Sequence, residues 1–130
     1  METGNNILPT VLVVDDDEDL LHIIGFKLRA EGFHTLISQN GENVRDIITQ
    51  NKPDLILLDL HMQGIDGGDI CREIKSDPLT CSIPVLLFSA NDNIKTIQKE
   101  CGADGFISKP LENNVLVSAI QHYLPRQTQV

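Results

Sequence analysis

Five short apolar runs punctuate the chain: Val11-Leu12-Val13-Val14, Phe33 to Ile37, Leu55-Ile56-Leu57-Leu58, Val85-Leu86-Leu87-Phe88 and Phe106-Ile107. All but the last have strand length. Three are solidly hydrophobic rather than alternating, as in a strand covered on both faces, and that predicts a parallel sheet between helices. Between the runs, apolar residues recur at helical spacing. The stripes are Leu20, Ile24 and Leu28; Val44, Ile47 and Ile48; Ile70 and Ile74; Ile94, Ile97 and Cys101; and Leu116, Ala119, Ile120 and Tyr123. Each would lay one helix face on a sheet. Gly32 and Gly102 stand where the first and fourth helices should end. Asn40, Asp66 and either Asn91 or Asp92 suit N-caps. Pro53 and Pro84 precede the third and fourth strands, a position where proline is tolerated. The pattern is βα five times over, an α/β fold.

Composition narrows the class. The 130 residues suit one domain, expected over 9–124 with tails at 1–8 and 125–130. Ten Lys and Arg against 19 Asp and Glu give a net charge of −9. Such a surface repels phosphate backbones, and with no Trp, one Tyr and four Phe a base-stacking platform is disfavoured too. No apolar run approaches the length that spans a membrane, and no signal peptide is legible at the start. Cys71, Cys81 and Cys101 form no metal or redox motif. Free buried thiols in a reducing cytoplasm are the expectation. What remains is a small enzyme, a cation-binding module or an interaction domain.

Strands of a parallel sheet all end on one edge, and open α/β sheets bind ligands beyond that edge. After the first strand come Asp15, Asp16 and Asp17; after the third, Asp59-Leu60-His61-Met62; after the fourth, Ser89-Ala90; after the fifth, with one serine between, Lys109-Pro110. Asp15, Asp16 and Asp59 would concentrate about three negative charges, which oppose one another's ionisation. Lys109 offsets one, and a divalent cation would offset two. Oxygen-only ligands select a hard cation, and Mg²⁺ is the natural candidate. A carboxylate beside Mg²⁺, an ammonium and a hydroxyl is suited to attack phosphorus and form an aspartyl phosphate. Asp59 is the best nucleophile, because the run before it should be the buried central strand. Taken singly, these residues read as caps, turn residues or surface charges. Their joint placement at four strand ends is what points to chemistry.

The residues resemble the response-regulator receiver family (CheY-like) of two-component signal transduction over about residues 9–124. The matching stretches are Val11 to Asp17, Pro53 to Met62, Asp66-Gly67, Ile83 to Ala90, Gly102-Ala103-Asp104 and Lys109-Pro110. The resemblance implies a doubly wound, flavodoxin-like five-stranded parallel sheet of order 2-1-3-4-5 with helices on both faces. It implies that Asp59 accepts a phosphoryl group from a sensor histidine kinase or histidine phosphotransfer protein. Asp15, Asp16, Asp59 and the His61 backbone carbonyl would hold Mg²⁺. Lys109 and Ser89 would bind phosphoryl oxygens, and Phe106 would turn inward as Ser89 moves. The Lys109–Pro110 bond would be cis. The output surface would be the fourth helix, fifth strand and fifth helix, read by a downstream protein or a fused output domain, with a phosphorylation-dependent homodimer left open. No enzymatic turnover beyond phosphorylation and dephosphorylation of Asp59 is implied.

Some positions depart from the family's habits. Gln63 stands where proline is common, so the loop Gln63 to Gly68 is expected to be mobile. Phe106 lacks a hydroxyl, and Ser89 replaces the commoner threonine. His61 and Asn91 occupy positions that tune dephosphorylation in the family. His22, His34 and His122 suggest no role. Two other classes compete. A haloacid dehalogenase-like Mg²⁺-dependent phosphatase also works through an aspartyl phosphate, but it wants an Asp where His61 stands. A flavodoxin-like cofactor binder needs a Gly-, Ser- or Thr-rich phosphate loop where Asp15-Asp16-Asp17 stands.

Overall fold

The computed structural model describes residues 8–62, 64–109 and 112–124. Five parallel strands, β1 (Thr10–Val14), β2 (His34–Ser38), β3 (Leu55–Asp59), β4 (Val85–Ser89) and β5 (Gly105–Ser108), form one sheet. Its order is β2-β1-β3-β4-β5, as the resemblance implied. The helices are α1 (Glu18–Ala30), α2 (Val44–Asn51), α3 (Gly67–Ser76), α4 (Ile94–Cys101) and α5 (Asn113–Tyr123).

Alternate residues of each central strand enter opposite cores. Leu12, Val14, Ile56, Leu58, Val85 and Leu87 meet the faces of α2, α3 and α4. Val11, Val13, Leu55, Leu57, Leu86 and Phe88 meet Leu21, Ile24 and Leu28 of α1 and Leu116 and Ile120 of α5. Both faces of the sheet are therefore dry, which is why these runs are uninterrupted in sequence. β3 and β4 are buried at every position.

The edges depart from the sequence reading. β5 is four residues rather than two, with Gly105 and Ile107 buried and Phe106 and Ser108 exposed. Half its positions face solvent, so its apolar run is short. β2 begins at His34 rather than Phe33. The loop after β3 is not a plain glycine-rich turn. His61–Met62 pairs antiparallel with Ile65–Asp66, and α3 starts at Gly67. Gln63 lies outside the described residues.

Caps follow the sequence with one correction. Asp17 caps α1, Asn40 caps a short 3₁₀ turn (Gly41–Asn43) and Asp66 caps α3, each by accepting a backbone N–H. The expected cap of α4 at Asn91 or Asp92 is displaced. The N-cap position is Asn93, whose side chain makes no capping bond, and Asn91 Oδ1 instead accepts from the Asn93 N–H at 2.7 Å. Asn91 spends its oxygen on an Asx turn before the helix begins. Gly32 and Gly102 adopt positive φ at the ends of α1 and α4.

No helix among the described residues is long and apolar enough to cross a membrane. All three cysteines are free, but only Cys71 and Cys101 are buried. Cys81 is exposed, contrary to expectation, because the chain loops out between α3 and β4. Burial pushes the Cys71 thiol well above its usual range. The tails expected at 1–8 and 125–130 lie, apart from Leu8, outside the described residues.

Candidate functional site

Each site residue is held by the end of a strand. The Asp15 N–H donates to the Ser38 carbonyl at 3.1 Å, extending the β1–β2 ladder by one bond. Asp59 is the last residue of β3, opposite Phe88 of β4. Ser89 ends β4, and the Lys109 N–H donates to its carbonyl at 3.0 Å, so Lys109 continues β5. The sheet therefore fixes all four backbones before any side-chain contact forms. Asp15, Asp59 and Ser89 are 1%, 4% and 2% exposed, and they are three of the four buried polar or charged residues among those described.

The side chains converge. Lys109 Nζ lies 3.0 Å from Asp15 Oδ2 and 3.4 Å from Asp59 Oδ1, and 4.8 Å from the centre of the Phe88 ring. Asp15 Oδ1 accepts from the Asp17 N–H at 2.9 Å. Asp17 itself turns away to cap α1 through the Leu20 N–H at 3.2 Å. One carboxylate oxygen from each of Asp15, Asp16 and Asp59 lies within 4.8 Å of the others. An open cleft of about 370 Å³ over them is lined by Asp15, Asp16, Asp17, Asp59, His61, Ser89, Ala90, Asn91 and Lys109.

Charge is unbalanced here. Burial raises the Asp59 carboxyl above its ordinary range, and the neighbouring Asp15 charge raises it further; Lys109 and the His61 N–H pull it back without cancelling the rise. Lys109 is pulled down most strongly by burial, but the Asp15 hydrogen bond and the two carboxylate charges together outweigh that and raise it. Lys109 thus serves two of the three carboxylates by direct contact. The donor set is all oxygen and its excess charge is negative, which fits a hard divalent cation such as Mg²⁺.

Ser89 Oγ accepts from the Asn91 N–H at 3.1 Å. Phe106 lies on β5 with its ring turned outward, 38% exposed. Pro110 lies outside the described residues, and with it the expected cis bond. His22, His34 and His122 are absent from the cleft. Two features escaped the sequence reading. A Cβ at Gly67 would run into the Asp59 carbonyl oxygen and lie 2.9 Å from Leu60 Cα. Glycine here lets the first turn of α3 pack directly on the backbone that carries Asp59, and the dipeptide Asp66-Gly67 was the available signal. The second is a contact between the Asn91 and His61 side chains, 3.0 Å apart, which no local spacing announces.

Residues 11–121 match the family of response regulator receiver domains. The chain belongs to that family. A solved receiver-like neighbour, described as a putative response regulator from Chloroflexus aurantiacus, is 30% identical, with a TM-score of 0.85 over 89% of this chain and 97% of that one. The signal receiver domain of a signal transduction histidine kinase from Syntrophus aciditrophicus is 31% identical, with a TM-score of 0.80 over 88% of each chain. NtrX from Brucella abortus is 29% identical with a TM-score of 0.80; the receiver matches 27% of its length. The phosphatase reading is not favoured. His61 stands where that chemistry needs a second acid.

Proposed function

We propose that this receiver accepts a phosphoryl group on Asp59 from a phosphohistidine of a sensor histidine kinase or a histidine phosphotransfer protein. The observation that carries the reading is the crowding of Asp15, Asp16 and Asp59 at the buried end of β3, with Lys109 against Asp15 and Asp59. An Asp59 oxygen attacks phosphorus as the P–N bond to the donor imidazole breaks. The electron pair of that bond returns to the imidazole nitrogen, and the product is an aspartyl phosphate. Asp15, Asp16, Asp59 and the His61 backbone carbonyl would hold Mg²⁺, which supplies charge neutralisation of the phosphoryl oxygens. Lys109 adds a second positive charge beside Asp59. Ser89 turns its hydroxyl from the Asn91 N–H toward a phosphoryl oxygen.

The added group brings roughly −1.5 to −2 charges and strong acceptor oxygens. Withdrawal of Ser89 vacates space beside β5, and the outward Phe106 ring turns in to fill it. The surface of α4, β5 and α5 then changes for a downstream protein or a fused output domain, and it also allows a phosphorylation-dependent homodimer. The net charge of −9 argues that this domain does not itself contact nucleic acid. Its role is that of a phosphoacceptor module rather than an enzyme with turnover. Three free thiols support a cytoplasmic setting. Incubation with acetyl phosphate and Mg²⁺ tests the reading. An acid-stable, base-labile acyl phosphate should form on the wild type and be absent from Asp59→Asn. Equal labelling of that variant would refute it.

A further inference from the structure

We infer that His61 and Asn91 are positioning residues whose side chains bridge the two loops flanking the Asp59 cleft, and that drawing Ser89 toward Asp59 releases the bridge. The inference rests on the function proposed above and adds a specific device to it.

Asn91 is tied at three points. Its backbone N–H donates to Ser89 Oγ at 3.1 Å. Its Oδ1 accepts from the Asn93 N–H at 2.7 Å, immediately before α4. Its Nδ2 lies 3.0 Å from His61 Nε2, across the cleft on the loop after β3. The second bond orients the amide, because only the oxygen can accept from Asn93. Nδ2 therefore faces the imidazole as a donor. His61 Nε2 must accept, and the ring proton sits on Nδ1. The protein thus selects one histidine tautomer with a residue thirty positions along the chain.

His61, Ser89 and Asn91 all border the same cleft. When the Ser89 hydroxyl is engaged by an oxygen at Asp59, the 3.1 Å bond carries Asn91 along with Ser89, and the Asn91 side chain shifts relative to His61. A hydrogen bond at 3.0 Å tolerates only a few tenths of an ångström before it weakens. The bridge therefore opens as the switch is thrown, and the same displacement pulls on the Asn93 N–H at the start of α4.

The experiment is NMR of the uniformly ¹⁵N-labelled full chain, in Mg²⁺, with and without beryllofluoride as the phosphoryl mimic. His61→Gln assigns the resonances. In the free wild type, His61 should show a protonated Nδ1 and an accepting Nε2. Asn91→Ala should shift the population toward the Nε2–H form. Asn91→Asp should invert the tautomer outright, because a carboxylate keeps the Asx turn but can only accept from Nε2. Beryllofluoride should move wild-type His61 toward the Asn91→Ala pattern. An Nε2–H tautomer in the free wild type, or one indifferent to both Asn91 variants, overturns the bridge. Beryllofluoride that perturbs Lys109 and Ser89 while leaving His61 unchanged overturns its release alone. Failure of beryllofluoride to bind overturns the proposed function and the release with it.

Discussion

At the amino-terminal edge of the sheet, Asp54 accepts from the Thr10 N–H at 2.8 Å. Asp104 Oδ2 accepts from the Val85 N–H at 2.8 Å and from Lys75 Nζ at 2.9 Å, and Lys75 also donates to the Ile83 carbonyl at 2.9 Å. At the carboxyl-terminal edge, Asp15, Asp16 and Asp59 crowd within 4.8 Å, and Lys109 serves two of them. The difference has a simple origin. Parallel strands begin with free N–H groups and end with free carbonyls. A carboxylate at the start of a strand finds donors in the chain itself. At the finish three carboxylates crowd together, and the few N–H donors of the loops, such as that of Asp17 to Asp15, leave their charge to be offset by Lys109 and a cation. The first edge closes the fold, and the second is left able to bind a cation and react.

The largest effect that separates the edges is on phosphorylation. Asp59→Asn should abolish labelling by acetyl phosphate, whereas Asp54→Asn should label at the wild-type rate; loss of labelling in both would break the comparison. Next in size is a packing effect. Gly67→Ala forces a methyl against the Asp59 carbonyl and should cost roughly 2–3 kcal/mol in urea unfolding. An unchanged midpoint would mean that α3 can back away from β3.

Lys109→Ala and Lys75→Ala sharpen the contrast. Without metal Lys109→Ala should cost roughly 1–2 kcal/mol, as it removes the ammonium from two buried carboxylates, and Lys75→Ala less, as exposed Asp104 keeps the Val85 N–H. Mg²⁺ should recover stability in Lys109→Ala and do nothing specific for Lys75→Ala. Equal response of the two to Mg²⁺ would place the cation elsewhere. The smallest effect is in pH. The Asp59 carboxyl is raised when folded and ordinary when unfolded, so the folded state binds the extra proton. Without Mg²⁺ this group's contribution is fully present below the unfolded value of 3.8 and is lost as pH rises through the folded one. Melting temperature measured against pH should show that decline in the wild type. Asp59→Asn should lack it, and a matching slope in the variant would assign it to other groups.

Much of this was legible in the residue order. Runs such as Leu55 to Leu58 are apolar at every position because both faces of the sheet are covered. The helix stripes are apolar on one face because only one face is. The site was legible for a related reason. Parallel strands end together, so whatever follows each run must share an edge. The edge strand β5 was half hidden, since Phe106 and Ser108 face outward and interrupt the pattern. The start of α4 was misread because Asn91, a good cap by type, is committed to a turn of its own.

The sequence by itself determined most of the core, the five strands of the parallel sheet, and that Asp15, Asp16, Asp59, Ser89 and Lys109 meet. These follow from local periodicity and the common direction of the strands. Only the tertiary structure decided that Gly67 must lack a side chain, that Asp17 turns away as a cap, and that Asn91 reaches His61. The last of these depends on how two loops thirty residues apart approach each other to within a few ångströms, and the others on which of several local bonds the packed backbone leaves available. No pattern along a single segment carries that distance.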